Sequence, residues 1–254
     1  MIPLDDRGLL LGDGLFETLL AKDGTLVEAQ AHLARMAAGC AVLGLPAPDP
    51  GEAMDLMGRA LSEAGLERGR AAVRLTLTAG SGGRGLDRPA GPEPRLFAKA
   101  AASVAPTTPA RLMVSTVARN AGSPAARLKT LAYLDNVLAR REALGAGADE
   151  AVMLNGAGQV ACAAAANLFW VSGGQVFTPA LACGVLDGIV RRQVMAAVPV
   201  TEVAAGVEVL RAAQAVFLTN SLIGVRAAAS LDGRPLAGSD RVAEIAQAIT
   251  ALRG

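Results

Sequence analysis

Apolar residues recur at the spacing of a helix face in several parts of the chain. The segments 29–45 and 51–66 each place their apolar residues on one side of a helix. The same spacing predicts a helix over 131–144 and a C-terminal helix capped by Ser239. A further helix is predicted to begin near Asp187, after a loop that contains glycine.

Alternation of apolar and polar residues predicts the strands. The segment 73–78 alternates residue by residue, as a half-buried strand does. Strands are also predicted at 95–100 and 112–117, and 151–171 is typical of a β-meander with a turn at Asn155-Gly156.

These adjacent strands and segregated helices predict an α+β fold with two domains of unequal size. The segment 101–110 carries Pro106 and Pro109 among small residues, so we predict that it is an interdomain linker. It would separate a small N-terminal α+β domain, residues 1–100, from a larger domain, residues 111–254.

Composition excludes several classes of function. A net charge of +1 with 19% charged residues provides no basic field for nucleic acid. No apolar stretch reaches the roughly 20 residues of a membrane span, and the acidic N-terminus is unlike a signal peptide, so a cytoplasmic protein is expected. Three separated cysteines predict neither disulfides nor zinc, and the single histidine, His32, excludes multi-histidine metal sites. Lysine, tyrosine, carboxylates or an organic cofactor remain.

Lys129 is the first candidate for chemistry. The chain has three lysines and twenty-one arginines. Arginine stays protonated, whereas a desolvated lysine can lose its proton and attack a carbonyl. Lys22 lies in a polar turn and Lys99 ends an apolar strand, but Lys129 lies between apolar residues and a helical pattern.

Two glycine-containing segments invite a functional interpretation, each with a plainer alternative. The loop at 80–85 lacks the residues of a phosphate loop and is more simply a hairpin loop, although Arg84 and Arg88 could meet a carboxylate. At 184–191 a loop enters a helix whose first amides can bind an anion. The alternative there is an ordinary helix start capped by Asp187.

Eight motifs in register extend this picture. In chain order they are Leu11-Gly12-Asp13-Gly14-Leu15-Phe16-Glu17-Thr18, His32-Leu33-Ala34-Arg35-Met36, the loop 80–85, Lys129-Thr130-Leu131 with Tyr133-Leu134 and Asn136-Val137-Leu138-Ala139-Arg140, Ala148-Asp149-Glu150-Ala151, Asn167-Leu168-Phe169-Trp170, Gly188-Ile189-Val190-Arg191 and Asn220-Ser221-Leu222. From about residue 5 to about 230 they resemble the class IV (fold type IV) pyridoxal-phosphate aminotransferases. That family includes branched-chain and D-amino-acid aminotransferases and 4-amino-4-deoxychorismate lyase.

The resemblance implies a small α/β-sandwich domain, a larger pseudo-barrel β domain with helices, and a homodimer. Lys129 would form the Schiff base with pyridoxal phosphate and then shuttle a proton at the substrate α-carbon. Tyr133 would lie near the cofactor and share a face with Lys129 if that segment is helical. The phosphate would be bound by Arg35, Ile189, Val190, Asn220 and Ser221.

The sequence departs from the family in two places. Five residues before the Asn-x-Phe motif the family usually has a glutamate that pairs with the pyridine nitrogen, and this chain has Cys162. A thiol is a weak donor and should not hold that proton. The chain also begins almost on the Asp6-Arg7 motif, which predicts either a misplaced gene start or a trimmed small domain.

Within the family the motifs look most like aminodeoxychorismate lyase, which eliminates pyruvate to give p-aminobenzoate for folate synthesis. Thr18 would assist proton transfer, and Arg84 and Arg88 would receive a substrate carboxylate. A transaminase of D- or branched-chain amino acids is the first alternative. The second is a catalytically weak cofactor-binding paralogue, which Cys162 keeps open.

Overall fold

The computed structural model describes residues 2–253, and internal contacts divide the chain into two units. Unit 1 comprises Met1–Val104 and Leu128–Ala132, and unit 2 comprises Ala105–Arg127 and Tyr133–Gly254. The segment around Lys129 thus belongs with the N-terminal unit, an arrangement that one boundary at 101–110 does not describe.

Unit 1 is one antiparallel sheet with three helices, of which the two longer ones pack against its apolar core. Its elements are α1 (Arg7–Leu11), β1 (Gly14–Lys22), β2 (Thr25–Leu26), α2 (Ala29–Leu43), α3 (Pro50–Glu63), β3 (Arg70–Thr78) and β4 (Arg95–Ala102), with sheet order β2-β1-β3-β4. The helices predicted at 29–45 and 51–66 and the strands predicted at 73–78 and 95–100 are confirmed. α3 begins where Pro50 follows Asp49, whose side chain accepts the amide hydrogen of Glu52.

Only one face of the unit 1 sheet carries the apolar core. Leu15 and Leu19 of β1 and Leu75 of β3 are buried against Met36 of α2 and Met57 of α3. Each such side chain contributes about 1.5–3 kcal/mol of transfer free energy. Successive strand residues point to opposite faces, so Phe16, Thr18 and Arg74 lie on the other face.

Unit 2 is a nine-stranded mixed sheet with four helices among its described residues. Its elements are β5 (Ala110–Val114), α4 (Leu134–Gly145), β6 (Glu150–Leu154), β7 (Val160–Ala163), β8 (Asn167–Ser172), β9 (Gln175–Pro179), α5 (Ile189–Ala197), β10 (Val200–Val203), α6 (Glu208–Arg211), β11 (Ala215–Asn220), β12 (Gly224–Leu231), β13 (Arg234–Pro235) and α7 (Asp240–Leu252). The order is β10-β9-β8-β11-β12-β5-β6-β7, with β13 beside β12. Phe169 of β8 stacks on Phe217 of β11, with ring centroids 4.9 Å apart, in the core that α5 and α7 cover.

The α+β prediction is confirmed, and Ser239 caps α7 as predicted. The helix predicted over 131–144 instead begins at Leu134, because the segment before it is held to β1 by the isolated bridge between Thr130 and Leu15 and by the hydrogen bond from the Leu131 amide to the Gly14 carbonyl oxygen. Tyr133 is the N-cap residue of α4, so the prediction that it shares a helical face with Lys129 is wrong. Within residues 2–253 no helix is long and apolar enough to cross a membrane.

We predict that Gly14→Ala destabilises the protein while Gly58→Ala does not. A methyl group on Gly14 would lie 2.3 Å from the carbonyl oxygen of Leu77 and 2.8 Å from Leu131 Cδ1, whereas nothing lies within 4 Å at Gly58 of α3. Overpacking should cost about 1–3 kcal/mol, and removing a helix glycine should gain up to about 1 kcal/mol. Urea unfolding of both variants measures the difference, and equal effects would contradict the close approach at Gly14.

Candidate active site

Lys129 lies in a turn next to Thr130, whose isolated bridge to Leu15 holds this segment against β1. The amide of Phe16 donates to the carbonyl oxygen of Lys129 at 2.9 Å, and the amide of Leu131 donates to that of Gly14 at 3.0 Å. The lysine amine Nζ is 4.3 Å from the centroid of the Phe16 ring. Backbone hydrogen bonds at and next to this residue therefore fix the point from which the amine projects.

The amine lies on the sheet face opposite the apolar core. Thr18 shares that face with Phe16, because the two residues are separated by one position in β1. Arg74 pairs in register with Thr18, and its Cζ is 3.7 Å from the centroid of the Phe16 ring. The structure thus brings the predicted Lys129 and Thr18 to one face. Arg74 was missed, since one arginine in an alternating strand gives no local signal.

Glu17 lies between Phe16 and Thr18 in β1, and its buried carboxylate points to the opposite face of the sheet. His32 Nδ1 is 2.7 Å from Glu17 Oε2, and Arg35 donates to both carboxylate oxygens from Nε at 2.8 Å and Nη2 at 2.6 Å. Glu17 and His32 are each only 1% exposed. The predicted phosphate ligand Arg35 is therefore oriented by a bidentate ion pair inside unit 1, and its contact to phosphate stays a prediction.

In the cluster of Glu17, His32 and Arg35, the carboxyl group is ionised and the imidazole is neutral. Burial raises the pKa of Glu17, but hydrogen bonds and charges from Arg35 and His32 outweigh it and hold the pKa at about 2. Burial lowers the pKa of His32, Glu17 opposes that effect, and the charges of Arg35 and Lys129 lower it further. His32 is therefore neutral at pH 7. Its proton is on Nδ1, because the ionised Glu17 can only accept.

The N-terminus of α5 has no side-chain cap. Gly188 is the N-cap residue and Ile189 the first helical residue, so the alternative in which Asp187 caps this helix is wrong. Glycine is required there, because a Cβ on Gly188 would lie 1.9 Å from Asn167 Oδ1. The predicted phosphate ligands Ile189 and Val190 thus stand at a helix start of the kind that binds anions.

Thr219 provides a second donor beside this helix start. It pairs in register with Asn167, the residue that contacts Gly188, and it shares its strand face with Phe217 of the core that α5 covers. Thr219 is 1% exposed, and its Oγ1 makes no hydrogen bond within the described part of the chain. A buried hydroxyl of this kind usually has a partner, and an anion at the start of α5 would supply one. Sequence analysis missed Thr219 because nothing local marks an unpartnered hydroxyl.

Asn220 and Ser221 follow Thr219 at the end of β11. Asn220 Oδ1 accepts the amides of Leu222 and Ile223, both at 2.9 Å, which fixes the turn into β12. This geometry gives the Asn220 side chain a turn-forming role. The predicted contacts of Asn220 and Ser221 to phosphate stay predictions.

Cys162 lies in β7 within a cluster made mostly of alanines. It is 6% exposed, and the alanine members of the cluster are Ala139, Ala143, Ala148, Ala151, Ala161 and Ala164. Burial raises the pKa of the Cys162 thiol, the charge of Arg119 opposes this, and Glu150 adds to it. Cys162 is therefore a neutral thiol at pH 7, between one positive and one negative group.

Arg119 and Glu150 set the charge around Cys162, and sequence analysis assigned a role to neither. Arg119 donates to the carbonyl oxygen of Gly184 at 3.1 Å and to Asn136 Oδ1 at 3.2 Å. Burial raises the pKa of Glu150, although Arg140 Nη1 lies 2.8 Å from its Oε2 and acts in the opposite direction. Glu150 is thus a carboxylate whose charge acts on the Cys162 thiol.

The glycine loop is anchored by two arginines that share Asp13. Arg7 Nε donates to Asp13 Oδ2 at 3.0 Å, and its other nitrogens donate to carbonyl oxygens in 82–87. Arg88 Nε donates to the same Asp13 oxygen at 2.9 Å, whereas Arg84 is exposed. This geometry gives Arg88 an anchoring role. The substrate contacts predicted for Arg84 and Arg88 stay predictions.

Comparison with known proteins agrees with this arrangement. A model of the family described as Amino-transferase class IV matches residues 14–231, most of the chain. The chain belongs to this family. Class IV aminotransferases are pyridoxal-phosphate-dependent enzymes, and the resemblance inferred from the motifs is confirmed.

Named relatives include both lyases and transaminases. Aminodeoxychorismate lyase of Vibrio harveyi is 34% identical over 200 residues, covering 76% of this chain and 72% of the relative. A bifunctional aminodeoxychorismate lyase and D-amino acid transaminase of Mycobacterium tuberculosis is 30% identical over 182 residues, covering 63% and 57%. A Legionella pneumophila structure whose name proposes a 4-amino-4-deoxychorismate lyase superposes with a TM-score of 0.91 at 26% identity, covering 99% and 95%.

We predict that protonation of Glu17 lowers the free energy of unfolding at acidic pH. Its folded-state pKa lies below the ordinary 4.5, so its contribution is present above that pH and is lost as the pH falls toward about 2. Glu17→Gln should lower the free energy of unfolding at pH 7 by about 2–4 kcal/mol and flatten its decline in that range. Urea unfolding across this pH range, with exposed Glu63→Gln as the control, measures the effect. An unchanged acid dependence in Glu17→Gln would assign the titration to another group.

Proposed function

We propose that this enzyme is a lyase that acts on 4-amino-4-deoxychorismate, eliminating pyruvate and leaving p-aminobenzoate, a precursor of folate. The observation that carries the proposal is the placement of Lys129. Its backbone is hydrogen-bonded to β1, and its amine lies on the sheet face that also carries Thr18. The 34% sequence identity to the aminodeoxychorismate lyase of Vibrio harveyi supports this choice of substrate within the family.

Each unit by itself carries groups that suit pyridoxal phosphate. Unit 1 has the amine of Lys129, and unit 2 has donors for a phosphate at the uncapped start of α5 and in the buried Thr219 hydroxyl. When bound, the cofactor supplies an aldehyde and an electron-withdrawing ring. The residues proposed to hold it are Lys129, Arg35, Tyr133, Cys162, Ile189, Val190, Asn220 and Ser221.

Lys129 carries the proton chemistry in this proposal. Its amine, when neutral, would accept the proton from the substrate carbon that bears the amino group, a role that needs a nitrogen held within reach of that carbon. The C–O bond to the enolpyruvyl group would then break, and the proton would leave with the pyruvate. The Thr18 hydroxyl, on the same sheet face, assists the transfer. Arg84 is exposed and so better placed than Arg88 to receive a substrate carboxylate, because Arg88 is bound to Asp13.

Two other functions have observations in their favour. A transaminase of D-amino acids is supported by the Mycobacterium tuberculosis relative, whose name gives it both activities, and a branched-chain transaminase belongs to the same alternative. A catalytically weak cofactor-binding paralogue is supported by Cys162, which places a neutral thiol where the family has a carboxylate.

We further propose that the enzyme is a cytoplasmic homodimer. Four apolar residues of α4 are exposed to solvent: Leu134 at 68%, Val137 at 57%, Leu138 at 42% and Leu144 at 59%. A second copy of the chain would cover such a surface. The small net charge agrees with an enzyme that binds small amino-acid-like molecules.

We expect the cofactor-loaded protein to release pyruvate from 4-amino-4-deoxychorismate, and Lys129→Ala to abolish this release. A coupled lactate dehydrogenase assay measures pyruvate, and borohydride reduction with peptide mapping locates the covalent label. Lys22→Ala, at the last residue of β1, is the matched control and should keep full activity.

Other outcomes identify the alternatives. Loss of the cofactor absorption band with D- or branched-chain amino acids, and its return with a keto acid, would replace the lyase proposal with a transaminase. A label on Lys22 or Lys99 would overturn the assignment of Lys129. No response to any of these substrates would leave the binding paralogue.

We expect Cys162→Glu to speed α-proton exchange. A carboxylate at this position would hold a proton on the pyridine nitrogen, which deepens the electron sink, and Arg119 would offset part of its burial cost. Deuterium exchange at the α-carbon of a bound amino acid is the measurement, with Cys162→Gln as the matched uncharged control. An unchanged or slower rate in a folded Cys162→Glu protein would mean that the missing carboxylate does not limit this site.

A further inference from the structure

Arg7 donates hydrogen bonds to the loop that joins β3 to β4. It is only 5% exposed, and its Nε donates to Asp13 Oδ2 at 3.0 Å. Its Nη1 donates to the carbonyl oxygen of Asp87 and its Nη2 to that of Leu86, both at 2.9 Å. Two longer contacts from Nη1, at 3.4 and 3.5 Å, reach the carbonyl oxygens of Gly85 and Gly82. One buried guanidinium thus contacts carbonyl oxygens along the whole segment 82–87.

These contacts lie on both sides of Arg84 in the sequence. Gly82 precedes Arg84, and Gly85, Leu86 and Asp87 follow it. The Arg84 side chain is exposed, and within residues 2–253 its guanidinium forms no hydrogen bond or ion pair. The backbone around Arg84 is therefore held to Arg7, while the charge of Arg84 stays available to a ligand.

The segment 82–87 needs a partner because its own sequence permits many conformations. Gly82, Gly83 and Gly85 have φ values of 96°, 79° and 61°. Glycine loses more conformational freedom on folding than any other residue, so ordering this segment is costly. Hydrogen bonds from a charged donor are stronger than neutral ones and offset this cost. A Cβ on Gly83 would lie 2.0 Å from the Asp87 carbonyl oxygen and 3.1 Å from Arg7 Nη1, so the segment packs directly on the guanidinium.

Arg7 can be replaced without leaving Asp13 unpaired. Arg88 donates to both carboxylate oxygens of Asp13, from Nε at 2.9 Å and from Nη2. Asp13 therefore keeps one arginine when Arg7 is removed, so no buried carboxylate loses its last partner. The segment 82–87, in contrast, loses every hydrogen bond that Arg7 donates to it.

We propose that Arg7 is a positioning residue that holds the segment 82–87 in one conformation and so presents Arg84 to a carboxylate of the substrate. A guanidinium on an ordered backbone binds a carboxylate without a further cost of ordering the loop. Arg7 thereby raises the affinity for substrate without contacting it. The proposal rests on the proposed function, in which Arg84 receives that carboxylate.

Trypsin cleavage measures the order of the segment without substrate. Within 80–94 trypsin can cleave only the Arg84–Gly85 bond, because Arg88 is followed by proline. Arg7→Met should speed this cleavage about tenfold or more, since loss of charge-assisted hydrogen bonds raises the population of the open loop. Exposed Arg59→Met on α3 is the matched control and should leave the rate unchanged. Mass spectrometry of the fragments identifies the bond that is cut.

A second pair of variants disturbs the same contact from the loop side. Gly83→Ala places a methyl group against Asp87 and Arg7, whereas nothing lies within 4 Å at Gly91 of the same β3–β4 connection. Gly83→Ala should therefore speed cleavage after Arg84, and Gly91→Ala should not. This pair decides the role of the contact if Arg7→Met does not fold.

A double-mutant cycle tests whether Arg7 acts through Arg84. The measurement is KM for 4-amino-4-deoxychorismate in pyruvate release by the cofactor-loaded protein. Arg7→Met and Arg84→Gln should each raise KM about three- to tenfold and change kcat by less than about twofold, because the lost contact is made before and during reaction alike. The double variant should have the KM of Arg84→Gln alone, since the two changes remove one interaction.

The outcomes separate this proposal from the proposed function. Equal cleavage rates in Arg7→Met and Arg59→Met, or in Gly83→Ala and Gly91→Ala, overturn the role of Arg7 in the loop. Independent effects of Arg7→Met and Arg84→Gln on KM overturn the presentation of Arg84. A wild-type enzyme that releases no pyruvate contradicts the proposed substrate. The cycle is then run on the KM of an amino acid that the enzyme transaminates, and an enzyme that turns over neither overturns the substrate role of Arg84 while the trypsin result stands.

Discussion

The pairing of Leu128–Ala132 with β1 is the constraint on which the candidate site depends. It is a backbone interaction, so it fixes Lys129 whatever the neighbouring side chains do. Gly14 permits it, because any Cβ there would collide with the carbonyl of Leu77 and with Leu131. α4 begins only after this segment, at Leu134, with Tyr133 as its N-cap residue.

β1 carries different chemistry on its two faces because side chains alternate along a strand. Glu17 points to the helix side of the sheet. Burial of its negative charge there would be costly without the hydrogen bonds that Arg35 and His32 donate to its carboxylate. Phe16 and Thr18 point to the other side, toward Lys129 and Arg74. A strand that carried only apolar residues on its inner face would pack as well but would leave Arg35 without an orienting partner. The buried ion pair therefore fixes the orientation of Arg35 as well as stabilising the fold at neutral pH.

Sequence patterns predicted the parts of the structure that repeat locally. The amphipathic helices α2 and α3 and the alternating strand β3 follow from the spacing of apolar residues, and Ser239 caps α7 as its type suggests. The motifs also singled out Lys129 and the start of α5, and the cofactor contacts assigned to them stay predictions. What could not be predicted depends on contacts between distant segments. Arg74, Thr219 and Arg119 acquire meaning only when β1, β8 or α4 is folded beside them, and their own sequence neighbours give no sign of it.

The replacement of glutamate by Cys162 changes charge more than packing. The alanines around Cys162 leave a small side chain well accommodated, and burial keeps its thiol neutral. Arg119 donates to backbone carbonyls and to Asn136, all of them neutral acceptors, while Glu150 has its own partner in Arg140. A carboxylate at this position would balance Arg119, so its absence leaves the surroundings of Cys162 more positive. A pyridine nitrogen held beside Cys162 would be protonated less readily than one beside a carboxylate, so the ring would withdraw electrons from the substrate less strongly.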